Sequence, residues 1–178
     1  MAAPTVLENE ERARDIFRRL FDERDLTDPS WYWADDLITD LKALEMTVHG
    51  PDGMADFFTG IFAAMPDFAM EIEDVLAHER GATIRWRARG TFPGAPWLGI
   101  QPTGSSLDLP GCDVMRFDPE GRVTENVVYY DGAAFARQIG MLPRRDSPAD
   151  RAVLAAFNTV TKVRRCLKSI LTVYAEWA

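Results

Sequence analysis

The spacing of the apolar residues changes once along the chain, and this change predicts helices first and strands afterwards. Up to residue 65 the apolar residues recur mostly every three or four positions, as on one face of an amphipathic helix. From residue 68 to about residue 131 they alternate with polar residues, as in strands with one buried face. This order favours an α+β protein in which helices pack on one face of a mostly antiparallel sheet.

Three helices and one short strand are predicted before the change of period. The first helix runs over residues 5–25 and has charged residues on its exposed face. The second starts near residues 28–30, where an aspartate can cap it, and it carries Trp31, Trp33 and Leu37. A short strand over residues 45–49 leads into the third helix, which Pro66 ends.

The strands that follow are predicted near residues 68–73, 84–89, 107–117 and 123–131. A loop of unusual length, residues 93–106, separates the second and third of them and is rich in glycine, proline and tryptophan. Loops of this length inside a compact domain are usually lids or binding loops. The sequence therefore predicts that this loop takes part in the site.

The chain ends in a further predicted helix, beyond Pro148, whose apolar residues form one long stripe. We therefore divide the sequence into a main domain of residues 1–143 and a helical extension of residues 144–178. The stripe needs a cover, which we expect to be the main domain or a second copy of the chain. A separate partner protein and a lid over the site are the alternatives.

Composition and charge narrow the classes of function. The net charge is −8, which argues against a nucleic-acid partner. The two cysteines lie far apart without metal-ligand spacing, and no apolar run approaches the length of about 20 residues that spans a membrane. We expect a soluble cytoplasmic protein that does not associate with membranes.

The strong catalytic signatures are missing. The sequence has no glycine-rich phosphate loop, no nucleophile elbow and no paired-cysteine or paired-histidine metal motif. It holds two histidines, of which His78 falls in a hairpin turn and is expected to be a solvated turn residue. His49 closes a strand, where a structural role and a catalytic role both remain open. We therefore expect no metal site.

Two aspartates are the better candidates for chemistry. Asp131 ends an apolar strand just before the last helix of the main domain, and Asp113 lies on the strand before it. If the faces that carry Met115 and Tyr129 point inward, both carboxylates border one cavity, whose apolar walls raise a carboxyl pKa. Such a pair can act as a general acid and base.

A structural role competes with this interpretation for each aspartate. Asp131 is well placed to cap the helix that begins at Gly132, and Asp113 can simply start its strand. The discriminating feature is the face of the last strand, because Tyr129 shares its parity with Asp131. A structure with Tyr129 outside contradicts both enzyme hypotheses.

Three arginines, Arg85, Arg87 and Arg89, form a row on one face of a strand. A solvated outer face of the sheet is the default interpretation, since the opposite face is apolar. The alternative is that one arginine pairs with a carboxylate in the cavity and lowers its pKa.

Three motifs resemble one known family. The loop Gly94–Gly104 is similar to the G-I-x-P-T-G loop of the SnoaL-like polyketide cyclases, within the nuclear-transport-factor-2-like superfamily. The run GCDVMRFDPEGRVTENVVYYDG and the closing segment Arg137–Pro143 are similar to that family as well. The resemblance covers roughly residues 8–143, and the extension of residues 144–178 continues past the usual end of the family.

The resemblance implies a cone-shaped α+β barrel, with three helices packed on a strongly curved sheet around a hydrophobic cavity. It also implies a homodimer and a cofactor-independent reaction, in which an aspartate in the cavity closes a ring by an intramolecular aldol reaction. Asp131 matches that aspartate by its place after the aromatic strand, and Asp113 corresponds to a position that is polar in some relatives. In our hypothesis Asp113, with Tyr129 or His49, orients the substrate or stabilises an enolate. The expected substrate-binding residues are Tyr129, Trp97, Met115, Phe117, Phe58, Phe62 and Trp86.

The leading hypothesis is therefore a cyclase or isomerase that acts on a hydrophobic, polyketide-like small molecule by general acid–base catalysis. One alternative is an epoxide-opening enzyme, in which one carboxylate activates water and a second acid protonates the ring oxygen. The other alternative is a binding or dimerisation module without catalysis. That module predicts that Asp131 is fully used as a helix cap and faces no void.

Overall fold

The computed structural model describes the backbone of residues 5–175 and the side chains of residues 5–165, 167 and 168. Its centre is a six-stranded sheet in the order β2-β1-β6-β5-β4-β3. Neighbouring strands are antiparallel except for β1 and β6, which run parallel. The strands are β1 (Trp33–Leu41), β2 (Met46–His49), β3 (Ala69–His78), β4 (Gly81–Thr91), β5 (Ser106–Phe117) and β6 (Val123–Tyr130).

Four α-helices accompany the sheet: α1 (Val6–Phe17), α2 (Gly50–Ala64), α3 (Gly132–Gln138) and α4 (Pro148–Ala175). Helix α1 continues into a π-helical turn, Arg18–Asp22, and short 3-10 turns precede β1 and β2. A capping box between Thr5 and Glu8 starts α1, which buries its apolar face against the sheet. The prediction of an α+β protein with helices on a curved sheet is confirmed.

The second predicted helix is wrong in its extent. Only Pro29–Trp31 forms a short 3-10 turn, and Trp33 and Leu37 lie on strand β1 instead. Their spacing of four residues fits a helix face and also fits a strand, because four residues are close to one helical turn of about 3.6 residues and equal two strand repeats of about 2. The buried residues Leu37, Thr39 and Leu41 alternate with exposed or half-buried neighbours, which is the strand pattern.

The row of arginines on β4 lies on the outer face of the sheet, as the default interpretation predicted. Arg89 contacts Glu71 at 2.8 Å, and Arg87 contacts Asp108 on the neighbouring strand at 2.5 Å. These groups are largely exposed, and exposed pairs contribute at most about 1 kcal/mol each. The arginines make this face of the sheet polar and do not reach the interior.

In the part of helix α4 that the structure describes, the contact with the main domain lies at the first turn. Asp150 accepts a hydrogen bond from the Asp146 amide at 3.0 Å and lies 3.8 Å from an Arg137 nitrogen. Beyond that turn, the side chains that the structure describes up to Lys168 are exposed, with Thr161 half-buried. The main domain therefore does not cover these residues: Val153, Leu154, Phe157, Val160, Val163 and Leu167. No helix within residues 5–175 is long and apolar enough to cross a membrane.

This attachment predicts that residues 1–143 fold without the extension. A chain that ends at Pro143 loses the Arg137–Asp150 pair, and we expect its free energy of unfolding to lie within about 1 kcal/mol of the full-length value. Urea denaturation followed by circular dichroism measures the difference. A truncated chain without a cooperative transition would place the domain boundary elsewhere.

Candidate active site

A cavity of about 90 Å³ lies between helix α2 and the inner face of the sheet. This volume gives room for several water molecules, so the interior is not completely filled by side chains. Three residues bring polar groups that stand out in this wall: Asp113 on β5 and Asn126 and Tyr130 on β6. The apolar wall includes Phe21, Leu41, Met54, Phe57, Phe58, Ile61, Met65, Phe68, Met70, Trp86, Ala88, Trp97, Leu107, Leu109, Val128 and Phe135.

Asp113 brings a carboxyl group to this cavity, and two hydrogen-bond donors hold its side chain in place. The indole Nε1 of Trp86 donates to Oδ1 at 2.8 Å, and the amide Nδ2 of Asn126 donates to Oδ2 at 2.9 Å. Only 8% of Asp113 is exposed to solvent. The two bonds fix the plane of the carboxyl group and stabilise its charged form.

Burial has the larger effect on the acidity of Asp113. Desolvation raises the pKa of the Asp113 carboxyl to about 6, although the hydrogen bonds from Asn126 and Trp86 lower it. A carboxyl group with a pKa near 6 is mostly ionised at neutral pH but accepts a proton more readily than an exposed aspartate. This is the property that a general base requires.

Gly111 explains how the Trp86 indole reaches Asp113. Trp86 on β4 pairs with Gly111 on β5, and the indole ring lies over the Cα of the glycine. A Cβ at position 111 would lie 2.2 Å from the ring atom Cη2 of Trp86. No larger residue is compatible with this ring position, so Gly111 allows the hydrogen bond from Trp86 to Asp113.

Asn126 has one polar atom in use and one without a partner. Its Nδ2 donates to Asp113, but its Oδ1 has no hydrogen-bond partner among the residues that the structure describes. The residue is 5% exposed and lies in the cavity wall. A buried acceptor without a partner is uncommon in native structures and requires an explanation.

Tyr130 brings a hydroxyl group to the same wall. Its ring packs against Trp86 and Phe135, with centroid distances of 6.4 Å and 5.9 Å. Desolvation raises the pKa of the Tyr130 hydroxyl to about 12, so the group stays protonated at neutral pH. It is therefore a neutral hydrogen-bond donor for an oxygen atom in the cavity.

The long loop closes one side of the cavity with Trp97. Its backbone is tied to helix α2, since the Gly94 amide donates to the carbonyl of Ala64 at 3.0 Å. The Trp97 ring lies 5.7 Å from that of Phe57 on α2 and 6.1 Å from that of Phe135 on α3. Trp97 therefore brings this loop into the wall of the cavity.

The structure brings together four of the ten residues that the sequence analysis assigned to the site: Asp113, Trp97, Phe58 and Trp86. Asp131 does not line the cavity. It is exposed and caps helix α3, where its Oδ1 accepts from the amides of Ala133 and Ala134 at 2.9 Å each. This is the geometry that the module without catalysis predicts for Asp131, and it leaves the carboxylate with a structural role.

Tyr129 explains why the placement of Asp131 was wrong. Tyr129 is 49% exposed on the outer face, whereas Val128 and Tyr130 line the cavity. The run of residues 127–130 is apolar at both parities, so alternation does not determine which face is buried. By the criterion stated above, the mechanisms that rest on Asp131 are contradicted. Asp113 enters the cavity from β5 and is independent of that error.

The other assigned residues also lie outside the cavity wall. His49 is exposed at the start of α2, and Met115 is buried in the core away from the cavity. Phe117 is half-buried at the end of β5, and Phe62 packs with its ring 4.9 Å from the Arg24 guanidinium. Their apolar character predicted burial in part, but it did not distinguish the solid core from the hollow region.

Asn126, Tyr130 and Gly111 were missed by the sequence analysis. A signal for Asn126 exists, because it is a polar residue that shares its parity with the apolar Val128 and Tyr130. Within residues 5–175, no group of three metal-binding side chains forms a metal site.

Comparison with known proteins agrees with this architecture. The family model described as SnoaL-like polyketide cyclase matches residues 11–139. No curated protein matches the chain. Among solved structures, the candidate hydroxylase AclR from Streptomyces galilaeus is 21% identical, with a TM-score of 0.66, over 92% of this chain and 98% of its own. This share exceeds what precedes α4, so the match extends into that helix.

Two further structures match about three quarters of the chain. The candidate polyketide cyclase IdmH from Streptomyces antibioticus is 18% identical, with a TM-score of 0.62, over 75% of this chain and 99% of its own. A protein from Catenulispora acidiphila with a ketosteroid isomerase-like fold is 18% identical, with a TM-score of 0.61, over 78% and 98%. These likenesses support the fold, and the family model covers most of the chain. The protein therefore belongs to the SnoaL-like polyketide cyclase family.

Proposed function

We propose that the protein is a cofactor-independent cyclase or isomerase for a hydrophobic, polyketide-like molecule, with Asp113 as the general base. The observation that carries this proposal is a single carboxyl group, held by two hydrogen bonds in a mostly apolar cavity. We extend the proposal to a homodimer in the cytoplasm, as the sequence analysis expects.

In the proposed reaction Asp113 removes a proton from a carbon next to a carbonyl group. The electron pair of the broken C–H bond forms an enolate, whose carbon attacks a second carbonyl of the same molecule and forms a C–C bond. The resulting alkoxide takes back the proton from Asp113 and becomes a hydroxyl group. The net reaction is an isomerisation that needs no oxidant, reductant or cofactor.

The surroundings of Asp113 fit the demands of this step. The Tyr130 hydroxyl is a neutral donor that can stabilise the negative oxygen of an enolate. The apolar wall keeps water away, which strengthens such a hydrogen bond and protects the enolate from protonation by solvent. Trp86 and Asn126 hold the carboxyl group in one orientation, so that it need not reorganise during the transfer.

The lining of the cavity favours this reaction over epoxide opening. The epoxide mechanism with two inward carboxylates is not supported, because Asp113 is the one carboxyl group among the described residues of the wall. A single base suffices for the transfer of a proton at carbon.

Hydrogen–deuterium exchange on 2-tetralone, a bicyclic ketone with exchangeable α-protons, tests the proposal. We expect the protein to accelerate the exchange in D₂O, measured by ¹H NMR, with a rate that rises as the pH passes through about 6. Asp113→Asn should lower the rate at least about 100-fold, in the range of general-base effects. Asp131→Asn is the matched control and should keep the rate, since asparagine caps helices as well as aspartate does.

Two outcomes would contradict the proposal. Exchange at the same rate with wild-type protein and Asp113→Asn would exclude Asp113 as the base. Binding of the ketone without any acceleration would favour the binding module without catalysis.

A further inference from the structure

We infer that the amide oxygen of Asn126 is a subsite for a hydroxyl group, so that the cavity selects molecules with an alcohol, phenol or enol close to the reacting carbonyl. This inference rests on the proposed function in one respect, namely that the cavity is the substrate site. It adds the chemical class of the substrate and assigns a role to the amide oxygen of Asn126, whose amide nitrogen holds Asp113 in the proposed reaction.

The first argument is the state of the Asn126 side chain. The residue is 5% exposed, and its Oδ1 lacks a hydrogen-bond partner within the part of the chain that the structure describes. Burying an acceptor without a partner costs free energy. Such atoms occur where a ligand supplies the missing partner.

The second argument is that the amide orientation is fixed. An ionised carboxylate accepts hydrogen bonds and cannot donate them, so Asn126 must turn its Nδ2 towards Asp113. The observed distance of 2.9 Å between Nδ2 and the Asp113 Oδ2 agrees with this. The carbonyl oxygen then faces away from Asp113 and offers an acceptor to a molecule in the cavity.

The third argument excludes the nearest internal partner. Thr39 is the register partner of Asn126 on the parallel strand β1, and its side chain is also fully buried. Its hydroxyl has no hydrogen-bond partner either, so it does not donate to Asn126. Asn126 belongs to the cavity wall, whereas Thr39 is absent from the lining as described.

The acceptor gives the site a polarity. A ligand hydroxyl can donate to the Asn126 oxygen, whereas a ketone or ether oxygen at that place would oppose one acceptor with another. Sites built to bind a polar hydrogen discriminate strongly against analogues that lack it. The aldol product of the proposed reaction is itself a hydroxy ketone, and it satisfies this polarity.

Binding of 2-tetralol and 2-tetralone, an alcohol and ketone of nearly equal shape, tests the inference by isothermal titration calorimetry. We expect the wild-type protein to bind the alcohol about 10-fold more tightly than the ketone, a ratio in the range of one hydrogen bond. Asn126→Leu, which is close in shape but apolar, should remove this preference. Thr39→Val is the control and should keep it.

Asp113→Asn provides a second and sharper test. Its new amide donates to the Asn126 oxygen if the Asn126 side chain rotates by half a turn, and this rotation turns Nδ2 towards the cavity. The exposed polar group then changes from an acceptor to a donor. The oxygen of the alcohol accepts from this donor about as well as the oxygen of the ketone does, so we expect the preference for the alcohol to disappear.

The outcomes separate this inference from the proposed function. Equal affinities for both ligands in the wild-type protein, or a preference that survives Asn126→Leu, would overturn the Asn126 subsite and leave the cavity as a substrate site. Loss of the preference in Thr39→Val, or a hydroxyl preference retained in Asp113→Asn, would overturn the subsite as well. Failure of both ligands to bind would contradict the cavity as the substrate site and thus the proposed function.

Discussion

Replacement of Asp113 by asparagine is expected to raise the free energy of unfolding at pH 7 by about 3 kcal/mol, although it removes the proposed base. Burial raises the pKa of this carboxyl from 3.8 to about 6 in the folded protein. Each unit of difference corresponds to about 1.4 kcal/mol that favours the protonated form in the folded state. At neutral pH the group is ionised in both states, and the folded state bears that cost.

The sign of the pH dependence follows from proton binding. Between pH 3.8 and about 6 the folded protein binds more protons at Asp113 than the unfolded chain does. The contribution of Asp113 to stability is therefore most favourable below pH 3.8, declines through this window and stays low above it. Asparagine carries no charge, so the variant lacks this decline.

The measurement is urea denaturation of both proteins between pH 4 and pH 8. The other carboxyl groups titrate in both proteins and cancel in the difference, which should grow with pH and become constant above about pH 6.5. Asp108→Asn is a matched control, because an Arg87 hydrogen bond lowers the pKa of that exposed carboxyl, so its loss should destabilise at neutral pH. A difference that does not change with pH would show that Asp113 is not ionised in a buried site.

The fold was more accessible from the sequence than the site. The change of period near Pro66 identifies the α+β class, because burial of one face imposes a period on each element. Trp33 and Leu37 were misassigned to a helix, since two apolar residues four positions apart fit a helix and a strand equally. In the structure Leu37, Thr39 and Leu41 are buried at every second position, which is the pattern of a strand. The sequence does not show this pattern, because Thr39 is polar and its burial could not be expected.

The site depends on which face of each strand is buried, and local composition does not determine this for β6. Val127 and Tyr129 are as apolar as Val128 and Tyr130, so nothing local assigns Tyr129 to the outside. The strand register determines the buried face, because Asp113 pairs with Val128 and both side chains lie on the inner face. This pairing joins residues that lie apart in the sequence, so local composition does not reveal it. The sequence analysis instead inferred the inner face from the place of Asp131 at the end of the strand.

Gly111 is the residue of the site that side-chain chemistry cannot reveal, because its role is to leave space. Trp86 and Asp113 are separated by a diagonal step between β4 and β5, and the indole crosses Gly111 to make it. The role of Gly111 can therefore be recognised only when the pairing of β4 with β5 is known.

Gly111→Ala is accordingly expected to lower the free energy of unfolding by about 3 kcal/mol. The new Cβ would lie 2.2 to 2.7 Å from three atoms of the Trp86 ring, so the indole must move. Overpacking of this kind costs about 1 to 3 kcal/mol, and loss of a hydrogen bond to a charged group adds about 1.5 to 3 kcal/mol. Because the Trp86 bond lowers the pKa of Asp113, its loss should also raise that pKa further.

Two comparisons separate the steric cause from other effects of alanine. Gly99→Ala is the control, since a Cβ there meets nothing within 4 Å and the cost comes only from its positive φ of 78°, about 1 kcal/mol. In a Trp86→Leu background the clash is gone, so adding Gly111→Ala should cost less than about 1 kcal/mol. Additive losses in the double variant would mean that the indole does not lie over Gly111. A pH profile of tetralone exchange shifted upward in Gly111→Ala would connect this packing contact to the acidity of the base.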